Sequence, residues 1–178
     1  MTQDQLFTLI RKIVLEGLAR YGVTGYEVQR SYQGTKQGAS TGNAVFFFPV
    51  IDRRIGSPKQ SGSWDGTGQQ ATLKQMMEAS FQVFVRNKGA LNGQTITPTA
   101  SDVTNLIADV FVTDLVIAEL QAQNVGVLRV TEVRNDYEVN EVDRHEQVPF
   151  FDLTLSYTNT RVAVGAPIES IEPGIYRV

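Results

Sequence analysis

The strongest constraint on this fold is a long, regular alternation of apolar and polar residues near the middle of the chain. The apolar positions are Leu73, Met77, Ala79, Phe81, Val83 and Val85, and the polar positions between them include Lys74, Glu78, Ser80, Gln82 and Arg86. A period of two is typical of a β-strand with one buried face. Since strands of about 5 or 6 residues are the norm, a strand this long predicts a hairpin that projects past the body of the domain.

Before this strand, residues 55–70 are rich in glycine, serine and glutamine and contain few apolar residues. Such a composition cannot bury enough apolar surface to order itself, and a structureless connection of this length is typical of a functional or disordered loop. We therefore expect a flexible hairpin tip at about residues 55–70. An apolar strand is expected over residues 44–51, where Pro49 favours an edge or a bulge because proline lacks an amide hydrogen.

Two helices and further strands complete the predicted fold. One helix is expected over residues 3–21, ended by Gly22, and a second from Thr99, with Asp102 in its capping box, to about Gln123. Further strands are expected over 26–32, 127–133 and 151–158, with a short edge strand after Pro167. The 178 residues therefore predict a single α+β domain, with a mainly antiparallel sheet, two helices packed on one face and a long protruding β-hairpin.

The scarcity of two reactive residue types limits the chemistry of this chain. It has no cysteine and one histidine, His145, which excludes disulfides, thiolate metal sites and cysteine nucleophiles and leaves little room for histidine-dependent catalysis. The glycine clusters at 34–42 and 62–68 lack the phosphate-loop pattern. We therefore expect neither an enzyme nor a cofactor, and a small hydrolase using His145 stays a minor alternative.

The acidic stretch around His145 is either a metal site or a solvated surface. Acidic residues surround the histidine in one stretch, which contains Glu138, Glu141, Asp143, His145 and Glu146. One histidine among alternating acids is more typical of a solvated charged face than of a metal site. We therefore expect no bound metal here.

Charge is distributed unevenly along the chain. The net charge is -3 and the isoelectric point is about 5.2, unlike the basic footprint of a nucleic-acid-binding domain. Residues 1–70 carry eight Lys/Arg and five Asp/Glu, whereas residues 126–178 carry five and nine, which gives +3 and -4. The sequence has no run of 18 apolar residues and no basic start, so we expect neither a membrane span nor a signal peptide.

The best interaction candidates lie in the predicted basic loop, residues 53–65. They are Arg53, Arg54, Lys59 and Trp64. Arginine and tryptophan anchor protein interfaces and also suit contacts to nucleic acid. The alternative is a mobile surface loop in which Trp64 folds back on the body. Phe46, Phe47 and Phe48 cannot all face one ligand, because neighbours on a strand point to opposite faces.

Four segments of the chain together carry a resemblance to a known family. They are the helix start from Asp4 to Ile10 (DQLFTLI), the strand and glycine loop VQRSYQGTKQG, the apolar strand and charged hairpin FFFPVIDRRIGSPK, and the strand MEASFQVFVRN before a long helix. Together they resemble the tail terminator and neck (head–tail connector) proteins of tailed bacteriophages, the group typified by the U protein of phage lambda. The resemblance covers about residues 3–120.

The resemblance implies a structural virion protein. Such a subunit is expected in the tail or neck, assembled in the host cytoplasm into a ring, typically a homohexamer, that caps the tail tube and joins it to the head connector while DNA passes through the bore. The implied partners are further copies of the chain, the tube protein and the head connector, with non-specific proximity to DNA and no membrane. The hairpin is then expected to reach an adjacent subunit or the tube.

The same resemblance suggests that Glu138, Glu141, Asp143 and Glu146 face the channel, where acidic walls repel phosphate and keep DNA from sticking. The alternative function is a binding module that contacts nucleic acid or an acidic partner through the basic loop 53–65.

Overall fold

The computed structural model describes residues 1–31, 42–64, 69–87, 98–139 and 145–165. Over these residues the fold is α+β, as expected. Its elements are α1 (Gln3–Arg20), β1 (Tyr26–Arg30), β2 (Asn43–Trp64), β3 (Gln69–Arg86), α2 (Ala100–Val112), α3 (Asp114–Ala122), β4 (Val125–Val130), β5 (Arg134–Val139) and β6 (His145–Gly165). The connection at 88–97 and the edge strand expected after Pro167 lie outside the described residues.

The six described strands form one mixed sheet in the order β1-β2-β3-β6-β4, and β5 also pairs with β6. β1 runs parallel to β2, whereas all other neighbouring strands are antiparallel. β3 and β6 pair from Gln69 opposite Gly165 to Phe84 opposite Phe150. The predicted strands were therefore right in kind, and β3 and β6 are longer than their apolar patterns.

The loop expected at 55–70, and with it the basic loop 53–65, was wrong over most of its length. β2 continues to Trp64, and its residues 59–64 pair with residues 69–74 of β3. Residues 65–68 lie outside the described part of the chain. Backbone N–H and C=O groups pair regardless of the side chains beside them. The outer part of β2 can therefore pair with β3 although it is rich in glycine and serine and has no apolar face.

β2 departs from regular pairing twice, after Pro49 and after Ile55. At the second irregularity, residues 56–58 of β2 lie opposite a single β3 residue, Gln75, and Gly56 has a φ of 65°. The buried Gln75 amide nitrogen donates to the carbonyl oxygens of Ile55 at 2.9 Å, Gly56 at 3.2 Å and Met76 at 3.0 Å. Gln75 therefore satisfies carbonyls that the interrupted strand pairing leaves without partners.

The predicted helix ends are confirmed, but the second predicted helix is two helices. After α1, Gly22 has a φ of 74° and Val23 N–H donates to Leu18 O at 3.0 Å, the arrangement that ends a helix on glycine. At the start of α2, Thr99 and Asp102 form the expected reciprocal capping box. The break falls at Thr113, which is extended with a ψ of 139° and whose hydroxyl donates to Val110 O at 2.8 Å. Threonine side chains compete for backbone hydrogen bonds in this way. The spacing of apolar residues therefore does not predict the break.

One core cluster joins the buried side of the sheet to the three helices. Alternate residues of β3 and β6 are buried, among them Phe81, Val83, Phe151 and Leu153, whereas the residues between them are half-buried. We call the buried side the core face and the other side the open face. Phe47 is fully buried, while Phe46 and Phe48 are not, as expected for consecutive strand residues. In the described residues no helix offers the uninterrupted apolar length that a bilayer requires.

We expect Gly17→Ala to destabilise the fold, because α1 and α2 touch at this glycine. A Cβ at Gly17 would lie 2.7 and 2.8 Å from the two methyl groups of the buried Val110. The overpacking penalty of about 1–3 kcal/mol exceeds the gain in helix propensity of about 1 kcal/mol, so the free energy of unfolding falls. Urea denaturation measures the change, and Val110→Ala in the same chain should recover part of it. An unchanged or higher midpoint for Gly17→Ala contradicts the contact.

We also expect Gln75→Met to loosen the irregularity at 55–59. The substitution keeps the side-chain length and removes the donors, which costs about 1–3 kcal/mol through unpaired carbonyls. Faster amide hydrogen exchange over residues 56–61 is the signature to measure. Gln60→Met, at an exposed position of β2, is the matched control. Equal exchange in the two variants counts against the role of Gln75.

Candidate assembly surface

The outer part of the sheet is a three-stranded ribbon, formed by residues 52–64 of β2, 69–78 of β3 and 158–165 of β6. Among the described residues, β1 flanks β2 only as far as Phe47 and β4 flanks β6 only as far as Tyr157, so both long sides of the ribbon are open edges. Nearly every β2 residue in it is exposed. The ribbon carries five Lys/Arg and two Asp/Glu, a net charge of +3.

The four predicted interaction residues lie on this ribbon but do not form one cluster. Arg53 and Lys59 are opposite Glu78 and Lys74 on the open face, whereas Arg54 and Trp64 are opposite Met77 and Gln69 on the core face. Trp64 is 62% exposed and lies ten residues beyond Arg54, roughly 30 Å along the strand. A tryptophan surrounded by three cations, as the sequence suggested, is therefore not formed.

The two neighbouring arginines have different surroundings. Arg53 donates to the Glu78 carboxylate at 2.9 Å and is thereby neutralised. Arg54 has no ion-pair partner among the described residues and faces a cavity of about 290 Å³. Strands β2, β3 and β6 all contribute to its lining, which consists of Asp52, Arg54, Pro58, Leu73, Gln75, Met77, Asn159 and Arg161.

The one carboxylate in this lining, that of Asp52, neighbours Tyr157, which is 3% exposed. Burial, together with the neighbouring Asp52 carboxylate, raises the pKa of Tyr157 above its ordinary value. The cavity also presents two arginines, Arg54 and Arg161, neither of which forms an ion pair among the described residues.

Sequence reasoning missed Arg161, Gln75 and Asn159 as site residues. The signal was present in the period-two pattern, because Phe151, Leu153, Leu155 and Tyr157 continue on the same face into Asn159 and Arg161. A strand whose buried positions change from apolar to polar while its pairing continues has left the core. The apolar residues of this alternation end at Tyr157, so a strand predicted from them alone stops before Asn159 and Arg161.

Of the four predicted channel acids, the structure describes the backbone of two, Glu138 in β5 and Glu146 in β6. Glu141 and Asp143 fall outside the described residues. Glu138 and Glu146 are register partners in the β5–β6 pair. Among the described residues there is no group of histidine and acidic side chains arranged to hold a metal ion.

Comparison with known proteins places the chain in a family. The E217 gateway protein gp29 family matches residues 5–164. No curated protein matches the chain. One similar solved structure, from cryo-electron microscopy, is the sheath/tube terminator of an extracellular contractile injection system (PVC) in its extended state, with 10% identity and a TM-score of 0.45. The alignment covers 96% of this chain and spans 63% of the length of the terminator. Because the family match extends over most of the sequence, the chain belongs to the family of the E217 gateway protein gp29, and its resemblance to phage tail terminator and neck proteins is confirmed.

Proposed function

We propose that this protein is the subunit of a ring in the phage neck, typically a hexamer, that caps the tail tube and joins it to the head connector while DNA passes through the bore. Family membership over residues 5–164 is the observation that carries the proposal. The role is structural rather than catalytic, and the partners are further copies of the chain, the tube protein and the head connector. The protein is assembled in the host cytoplasm and remains in the virion.

The open edges of the ribbon support an assembly role. Residues 49–64 of β2, opposite residues 69–81 of β3, form an edge of roughly 40 Å with no strand beside it among the described residues. An exposed edge this long is a liability in a protein that stays alone, because its free backbone groups pair with other chains. In the proposed ring, an adjacent subunit or the tube covers the ribbon.

Cysteine cross-linking tests this placement, and the absence of native cysteines makes each introduced thiol unique. We expect Ser63→Cys, near the ribbon tip, to give intersubunit or tube-protein products in assembled particles. Thr24→Cys, exposed beside the opposite end of the sheet, is the matched control. Imaging of the particle should place the protein between the head and the tail tube. A position elsewhere in the particle contradicts the proposed function.

The competing function, a module that binds nucleic acid through a basic loop, makes a different prediction. Phosphate contacts release counterions, so each one adds about -0.9 to the slope of log affinity against log salt. Because Arg53 and Arg54 lie on opposite faces and Arg53 is paired with Glu78, we expect Arg53→Ala with Arg54→Ala to leave DNA affinity and its salt slope unchanged. A slope reduced by about 2 would instead favour the nucleic-acid module.

A further inference from the structure

The two open edges of the ribbon lie on opposite sides of β3 and belong to different strands. One, which we call the β2 edge, comprises residues 59–64, beyond the second irregularity of β2. The other, the β6 edge, comprises residues 158–165. Since β2 and β6 are both antiparallel to β3, they are parallel to each other, and both run from the core toward the tip of the ribbon.

The backbone groups that point outward from β6 follow from the bonds that this strand makes nearer the core. Asp152 donates its N–H to Thr131 Oγ1 at 2.8 Å and accepts at its carbonyl from Thr131 N–H at 3.0 Å. Both Asp152 groups therefore point away from β3. Because β6 pairs with β3 without irregularity, its backbone groups alternate between the two sides. The N–H and C=O groups of Thr158, Thr160 and Val162 consequently point to the open edge.

The β6 edge has few of the features that keep a natural strand edge from pairing with another chain. Such features include proline, bulges and several charged side chains, whereas this edge contains no proline, pairs regularly with β3 and carries one charge, that of Arg161. In the described part of the chain, the amino group of Met1 donates to the Thr158 carbonyl at 3.0 Å, and no strand lies beside the residues that follow. The edge is therefore ready to accept a strand.

The β2 edge presents its own outward groups at the same level of the ribbon. Directly opposite residues of an antiparallel pair point their backbone groups either at each other or away from each other. Thr72, which lies opposite Val162, therefore turns its groups toward β2, and its β2 partner Ser61 turns its groups toward β3. The groups of Gln60 and Gly62, on either side of Ser61, then point to the open edge of β2.

The two edges fit each other as neighbours in a parallel sheet. In a parallel pair, a residue with groups turned to the partner lies beside a residue with groups turned away, and the two side chains share a face. Val162 and Ser61 meet both conditions, because both are register partners of Thr72 on the open face. The two cations of these edges, Lys59 and Arg161, lie on opposite faces, so the pairing sets no like charges of the edges side by side.

From these observations we propose that the β6 edge of each subunit pairs in parallel with the β2 edge of the adjacent copy of this chain. The proposal rests on the proposed ring and names the contact between its subunits. A contact between two different surfaces can repeat around an axis and close into a ring, whereas a contact between two like edges stops at a dimer. The small rotation between neighbours in a ring does not reverse a strand, which agrees with the parallel fit. The ribbons then form one continuous sheet, with three strands from each subunit.

A backbone change in the full-length chain tests the contact. Val162→Pro removes an outward N–H without removing a bond to β3, and proline is tolerated at a free edge but not between two strands. We expect the variant to fold, as shown by circular dichroism melting, and to lower the yield of infectious particles at least about tenfold. Val162→Thr, which keeps the N–H and the branched side chain, is the matched control and should stay near the wild-type yield. A wild-type yield from Val162→Pro contradicts the proposal.

Two introduced cysteines test the same contact in assembled particles. Subunits of a ring lie at equal height, so the exposed Val162 and Ser61, which are at one level of the ribbon, come close across the contact. We expect Val162→Cys with Ser61→Cys, treated with a short reagent that joins two thiols, to give a ladder of linked subunits. Each single variant should give at least about tenfold less linked chain, because unlike edges bring only one cysteine to each contact. Thr24→Cys with Ser61→Cys is the matched control and should also stay unlinked.

The products identify what covers the β6 edge and separate this proposal from the proposed function. Linked dimers from Val162→Cys alone show that two β6 edges pair with each other, which overturns the contact proposed here. If imaging places the protein in a neck ring and the double variant gives no ladder, another protein covers the edges, so the contact is wrong and the ring stands. If the protein lies outside the neck, both proposals fail.

Discussion

The whole molecule depends on the uninterrupted antiparallel pairing of β3 with β6. From Phe84 opposite Phe150 to Gln69 opposite Gly165 the two strands stay in phase, so one face is the same set of alternate residues along the entire ladder. At one end those residues are apolar and pack against the helices in the core. At the other end the same positions are Gln75, Asn159 and Arg161. The ribbon is thus the core sheet continued beyond the core, and the same backbone ladder holds its strands together.

The spacing of apolar residues predicted the helices and strands that have a buried apolar face. The alternation in β3, the helix spacing of α1 and the caps at Gly22 and Thr99 each reflect a local physical preference visible in the residues themselves. The outer half of β2 has no such signal. This part of β2 is a strand because it pairs with β3. The glycines and serines of residues 56–63 do not by themselves predict that pairing. Tertiary context overrides local composition here.

Because the sequence does not predict the outer half of β2 as a strand, it also does not predict the arrangement of the candidate site. When residues 53–65 are assigned to a loop, Arg53 and Arg54 appear as one basic cluster with Trp64. Once they belong to a strand, neighbours must point to opposite faces, so one arginine meets Glu78 and the other meets the cavity. The basic residues are visible in the sequence, whereas their division between two surfaces follows only from the strand register. The cavity itself joins three strands, so Arg161 is connected to Arg54 only by the sheet.

Which arginine faces the cavity is decided five residues earlier, at Pro49. Pro49 lies opposite Phe81 and Ile51 lies opposite Ser80, so β2 gains one extra residue there and its alternation is reversed. Proline cannot donate to the ladder, which makes this the natural place for a bulge. At the second irregularity three β2 residues lie opposite one β3 residue. The two extra residues leave the alternation of faces unchanged, so Lys59 stays on the open face. A strand without the first bulge would turn Arg53 toward the cavity and leave Glu78 opposite the wrong residue. The charge pattern of the ribbon is consequently a property of backbone register as much as of sequence, because a one-residue slip exchanges the faces of every side chain beyond it.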